Sequence, residues 1–85
     1  MTITILFFGE LREQLGRSDE TLELSADTVT VQDLIDQLTA QGEPWSQAFS
    51  SQYPLQVAVN QEMAQMSSAI PDKAEIAFFR PVTGG

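Results

Sequence analysis

The chain closes with Arg80-Pro81-Val82-Thr83-Gly84-Gly85, and the group there with chemical potential is the carboxylate of Gly85. Two terminal glycines pack nothing and are costly to order, so a fold gains nothing from them. A carboxylate flanked only by hydrogens can instead enter a narrow channel in a second protein, where bulkier side chains would block adenylation or nucleophilic chemistry at the carbonyl. Pro81 suits that use, because it has no N–H for a sheet ladder, ends the strand before it and sends the last residues off extended. Fully extended, residues 81–85 reach roughly 16–18 Å beyond the domain. A bare Gly-Gly is equally a frayed end, and the rest of the chain has to decide between the two.

The other chemistry-bearing residues are few. The 85 residues include no cysteine and no histidine, which removes disulfides, thiol nucleophiles, zinc sites and the commonest general base together. A metal would need carboxylates alone, and none is expected. Lys73 is the only lysine and Tyr53 the only tyrosine, and neither sits in a run that suggests a site. Such a chain is poorly equipped to catalyse by itself, so its carboxylate reads as a group on which other proteins act, in a substrate or carrier. No cofactor is expected to bind it.

A net charge of −8 argues against nucleic acid and against an anionic membrane as partners. A partner with a basic face fits, as does a plain solvated acidic surface. No stretch approaches the ~20 apolar residues of a membrane span. The apolar run Met1–Phe8 lacks a basic flank and stops at Gly9-Glu10, so it reads as a strand and not a signal peptide, and the expected compartment is the cytoplasm.

The elements that must position the tail are legible in order. Thr2–Phe8 is β-branched and aromatic, a strand with both faces at least partly covered. Gly9 breaks it, Glu10–Leu15 predicts a short helix with Leu11 and Leu15 on one face, and Gly16 stands where the left-handed residue after a helix belongs. Thr21–Leu24 alternates as a second strand. The main helix starts at Thr30, whose hydroxyl and Asp33 make a capping-box pattern, with Val29 placed to staple onto Leu34. Val31, Leu34, Ile35 and Leu38 form its apolar stripe, which ends before Gly42. Pro44-Trp45 begins a further helical turn with Trp45 and Phe49 four apart, and Tyr53-Pro54 turns the chain. Leu55–Val59 is a third strand, Asn60-Gln61 a turn into a return segment around Met63–Met66, Pro71–Lys73 another turn, and Glu75–Phe79 the last strand.

One long helix over a small mixed sheet gives a two-layer α+β domain over residues 1–80, with residues 81–85 a flexible tail. The two terminal strands carry the strongest β signal and are expected side by side at the sheet's centre. Alternation then puts Ile3, Ile5 and Phe7 on one face and Leu6 and Phe8 on the other, while Ile76 and Phe78 oppose Ala77 and Phe79. Phe8 and Phe79 are thereby expected on the face away from the main helix, beside the root of the tail. Two arrangements satisfy that pattern: an open apolar patch that grips a partner, or a face covered by the short helix or the Trp45 segment.

In these residues the chain resembles the small-subunit family of molybdopterin synthase, ubiquitin-like β-grasp sulfur carriers. The resemblance runs through Ile5–Glu13, Val29–Leu34, Val57–Asn60 and Glu75–Phe79 into Pro81–Gly85, and so spans essentially the whole chain. Gly-Gly alone also fits thiamine-pathway or tRNA-thiolation carriers and ubiquitin-like modifiers; Phe-Phe-x-Pro-Val-Thr-Gly-Gly is similar to this subunit in particular. The resemblance implies that an E1-like enzyme adenylates Gly85 with ATP and that a sulfur donor system converts it to a thiocarboxylate. Pro81, Val82, Thr83 and Gly84 then insert into the large subunit, which supplies the catalytic residues and holds cyclic pyranopterin monophosphate. It also implies that Phe8, Arg12 and Phe79 lie on the large-subunit interface of a heterotetramer. The chain departs from many relatives twice: Arg80 replaces a second proline, which leaves it as a candidate polar contact to the partner, and Asp72-Lys73-Ala74 replaces an Asp-Gly-Asp-like turn.

Overall fold

Alternation in the two most β-prone segments decides which face carries the core. Ile3, Ile5 and Phe7 are buried, as are Ile76 and Phe78, while the residues between them are exposed or half-buried. Each segment therefore offers one apolar face to a covering layer. The computed structural model describes residues 1–50 and 54–81. Its elements are β1 (Thr2–Phe7), α1 (Gly9–Leu15), β2 (Asp19–Glu23), α2 (Val31–Thr39), α3 (Trp45–Ala48), β3 (Gln56–Val59), β4 (Glu62–Ala64) and β5 (Glu75–Phe79). No helix among the described residues is long and apolar enough to cross a membrane.

The strands form one mixed sheet in the order β2-β1-β5-β3-β4. β1 and β5 pair in parallel, with Phe7 opposite Phe78, and lie next to each other in the middle of the sheet as expected. The other pairings are antiparallel. Val31, Leu34, Ile35 and Leu38 of α2 are buried in one cluster with Ile3, Ile5, Phe7, Val57, Ile76 and Phe78. Leu11 and Leu15 of α1 and Trp45, Ala48 and Phe49 from the α3 segment join the same cluster.

The caps and turns follow the sequence closely. Thr30 Oγ1 accepts from the Asp33 amide at 3.2 Å, and Asp33 Oδ2 accepts from the amides of Thr30 and Val29, each at 3.0 Å. These two backbone donors hold the Asp33 carboxyl below its usual range. The staple from Val29 does not form as a buried contact: Val29 is 56% exposed, and the segment is held instead by hydrogen bonds, including Ile70 N–H to Val29 O at 2.9 Å. Gly16 ends α1 at φ +71.

Four strand boundaries differ from expectation, the smallest difference being β3, which begins at Gln56 and not at Leu55. β2 runs over Asp19–Glu23 because its register on β1 pairs Leu6 with Asp19 and Thr2 with Glu23. At that corner Glu23 accepts from the Thr2 hydroxyl and from the N-terminal ammonium, which together lower its carboxyl. β4 is the shorter Glu62–Ala64, because Asn60 and Gln61, at φ 51 and 70, make a two-residue reversal that sets Val59 opposite Glu62. β1 stops at Phe7, since Phe8 is the extended N-cap of α1 and Gly9, at φ +58, turns the chain. Lys73 takes a left-handed φ of 58, the geometry that a glycine adopts without a Cβ penalty. Of the Tyr53-Pro54 turn, Tyr53 lies outside the described residues.

Candidate functional site at the root of the tail

Because β1 and β5 run parallel, both strands finish at the same end of the sheet. Phe8 continues the ladder by donating its amide to Phe78 O at 3.3 Å. The β1–α1 junction is thus drawn against the last residues of β5, and Phe8, Gly9, Glu10, Phe79 and Arg80 line one depression of about 380 Å³. Pro81, the next residue, begins the tail. Val82, Thr83, Gly84 and Gly85 lie outside the described residues.

The two arrangements left open by alternation are now distinguished. α1 and the Trp45 segment lie in the core cluster with Phe7 and Phe78, so they cover the same side of the sheet as α2. Phe7 packs on Trp45 with ring centroids 5.7 Å apart, Trp45 stacks on Phe49 at 6.2 Å, and Phe49 meets Phe78 edge-on at 5.2 Å. Among the described residues, no helix covers the opposite face. Phe8 stands 48% exposed there and Phe79 is half-buried. In register nearby, the half-buried Leu6 pairs with the half-buried Ala77, and Ala77 pairs with the buried Ala58.

Arg12 sits on the exposed side of α1 and does not line the depression. Arg80 lines it with part of its surface, but its guanidinium turns back onto its own chain. Nη2 donates to Gln14 Oε1 at 2.5 Å and to Ala48 O at 2.9 Å, and Nη1 donates to Pro54 O at 3.1 Å. The group read from the sequence as a candidate polar contact to a partner is therefore engaged within the domain. The Ala48 carbonyl belongs to the last turn of α3, where helix carbonyls lack intrahelical donors, and Arg80 supplies one.

Gly9 and Glu10 on the rim of the depression were not among the residues singled out from the sequence. Gly9 carried a visible signal as the break between strand and helix, whereas nothing local marks Glu10. Two aromatic rings, a backbone turn and one carboxylate together make a partly apolar surface with a polar rim, the composition of a protein-contact patch.

Comparisons with known proteins identify the family and the fold. The family model described as the ThiS family matches residues 5–85. The molybdopterin synthase sulfur carrier subunit of Escherichia coli is 41% identical over 83 residues, spanning 98% of this chain and 99% of that protein. Among solved structures, SAMP1 from Haloferax volcanii superposes with a TM-score of 0.76 at 26% identity, with 100% of both chains covered. A complex of subunits 1 and 2 of the molybdopterin-converting factor of Helicobacter pylori contains a chain with a TM-score of 0.66 at 17% identity, again covering 100% of both, a likeness of fold. Five mixed strands with one long helix across one face make the ubiquitin-like β-grasp. With a family match over nearly its whole length, the chain belongs to the ThiS family of β-grasp proteins.

Proposed function

We propose that this chain is the sulfur carrier subunit of a molybdopterin synthase, presenting sulfur as a thiocarboxylate on Gly85. The observation that carries this reading is the open Phe8/Phe79 face at the root of a tail ending in Gly-Gly, in a chain 41% identical to a sulfur carrier subunit of that synthase. An E1-like enzyme adenylates the Gly85 carboxylate with release of pyrophosphate from ATP. Sulfide-level sulfur from the donor system attacks the acyl carbon and displaces AMP, which leaves the thiocarboxylate. That anion is nucleophilic at neutral pH without a neighbouring base, which suits a chain with no histidine or cysteine.

In this reading Phe8 and Phe79 seat against the large subunit, with Arg12 at the edge of the contact. Pro81, Val82, Thr83 and Gly84 carry the terminus to cyclic pyranopterin monophosphate held by the large subunit. Two deliveries build the dithiolene, and each returns Gly85 to a carboxylate. The assembly is a cytoplasmic heterotetramer, a dimer of large subunits with a carrier at each end. The Helicobacter pylori complex of two subunits supports a hetero-oligomeric habit for this fold.

Intact-mass analysis of the protein co-produced with its activating enzyme tests the proposal. One oxygen replaced by sulfur at the terminus is expected, and a persistent plain carboxylate defeats it. Deleting Gly85 is expected to abolish sulfur transfer with the fold unchanged. The breadth of the family match favours a second reading, a carrier for another pathway such as thiamine synthesis or tRNA thiolation. Capture of the endogenous partner separates them, since only the first yields a pterin-binding large subunit.

A further inference from the structure

Arg80 is the first residue beyond the last strand, where the sheet gives way to the tail. β5 ends at Phe79, and Pro81 has no N–H with which to continue any ladder. Proline thus removes one donor from the backbone pairing that could hold the root. The side chain of Arg80 reaches three segments far away in sequence instead: Gln14 in α1, Ala48 at the end of α3 and Pro54 ahead of β3. Among these acceptors the Ala48 and Pro54 groups are backbone carbonyls, that of Ala48 held by the turn of α3. A planar guanidinium with several fixed N–H vectors can serve three such acceptors together, which a lysine ammonium on a flexible stem does poorly.

We propose that Arg80 is a positioning residue for the root of the C-terminal tail: its guanidinium clamps the Phe79–Pro81 stretch against α1, α3 and the β3 lead-in, beside the Phe8/Phe79 face. The consequence for sulfur delivery rests on the carrier reading above. A root already fixed spares the complex the cost of ordering it on docking. Ordering one residue's backbone is worth about a tenfold change in affinity, or ~1.4 kcal/mol.

Two measurements test the clamp. In the isolated protein, 15N relaxation reads positioning directly. Arg80→Ala is expected to lower the order of the Phe79 and Arg80 amides while the rest of the sheet keeps its values, with Arg80→Lys restoring only part of the loss. Unchanged order at these amides overturns the proposal, whatever the protein delivers. Binding to the purified large subunit is then compared for the full chain and for a chain lacking residues 82–85, each with and without Arg80→Ala. About tenfold weakening in the full chain and none in the shortened one supports the clamp. Equal weakening in both means that Arg80 touches the partner or props up the domain, and no weakening in either means that it positions nothing; both results overturn the proposal. Should Arg80→Ala fail to fold, Gln14→Ala removes a single bond and is expected to give the same pattern at about two- to threefold. If the unaltered full chain does not bind the large subunit, the carrier reading fails, and the relaxation result still decides the clamp.

Discussion

Phe7 and Phe78 face each other across the central strand pair and are 1% and 0% exposed; Phe8 and Phe79, each one residue further along, are 48% exposed and half-buried. The residue type is the same, and one step along an extended chain turns a side chain to the opposite face. The difference comes entirely from what lies over each face. On one side α2, α1 and the Trp45–Phe49 pair close over the rings; on the other, no helix among the described residues covers the sheet. The domain has thus divided one aromatic signal into a pair that holds the fold together and a pair held at the surface beside the tail. Burying Phe8 as deeply as Phe7 would add stability and remove the surface a partner can grip.

If that division is right, the two pairs respond oppositely to truncation. Phe78→Ala removes a ring from a fully packed cluster and is expected to cost about 3–5 kcal/mol, a large share of the stability of a small domain. Urea unfolding followed by tryptophan fluorescence measures it, since Trp45 packs on Phe7 in the same cluster. Phe8→Ala is expected to cost less than about 1 kcal/mol of stability yet to weaken large-subunit binding by about 2 kcal/mol or more, as an aromatic anchor does. Calorimetric titration of Phe8→Ala and Phe79→Ala reads the second quantity. A Phe8→Ala protein that unfolds as readily as Phe78→Ala would dissolve the distinction between the faces.

Much of this division was legible before any coordinates. Alternation assigned all four phenylalanines to their faces, because strand period is strict and both segments carry large apolar residues at every second position. The capping box at Thr30 was readable for a similar reason: its partners are three residues apart, and the geometry is local. The sequence could not say whether α1 and Trp45 lie over Phe7 or over Phe8, since that depends on how the turn at Gly9 aims α1 and how the connection after α2 returns the Trp45 segment to pack on α1 and α2. Nor could it show where Arg80 points. Its acceptors are 26, 32 and 66 residues away, and two are main-chain carbonyls that every residue type possesses. Such contacts leave no pattern in a sequence. The staple from Val29 was expected from spacing alone and gave way to Asp33 and Ile70, which hold the same segment by hydrogen bonds.

A smaller effect sharpens the contrast at a site remote from both pairs. Thr30→Ala removes the hydroxyl that accepts from the Asp33 amide and is expected to lower stability by about 1 kcal/mol. Since α2 packs on the Phe7/Phe78 face and not on the Phe8/Phe79 face, large-subunit affinity should stay within error. A parallel loss of affinity would mean that the open face depends on the seating of α2. Thermal denaturation alongside the same titration separates the two outcomes.

The smallest expected effect is on pH dependence, and its sign follows from the two lowered carboxyls. Asp33 is held down by the amides of Thr30 and Val29, and Glu23 by the Thr2 hydroxyl and then by the N-terminal ammonium. In both cases the folded state prefers the ionised form more than the unfolded chain does. Their stabilisation is therefore complete above the ordinary carboxylate range and is lost as pH falls through the depressed folded values. Melting temperature should decline on acidification, with a shallower decline for Asp33→Asn. Asparagine keeps one oxygen acceptor for the Thr30 and Val29 amides but loses the charge, so that variant should melt below the parent at neutral pH, with the two curves converging in acid. Both carboxylates are solvent-exposed, so screening keeps each effect modest. Neither group borders the Phe8/Phe79 depression, so at neutral pH Asp33→Asn should leave large-subunit affinity unchanged. Curves that run parallel down to low pH would place the acid sensitivity elsewhere among the twelve acidic residues.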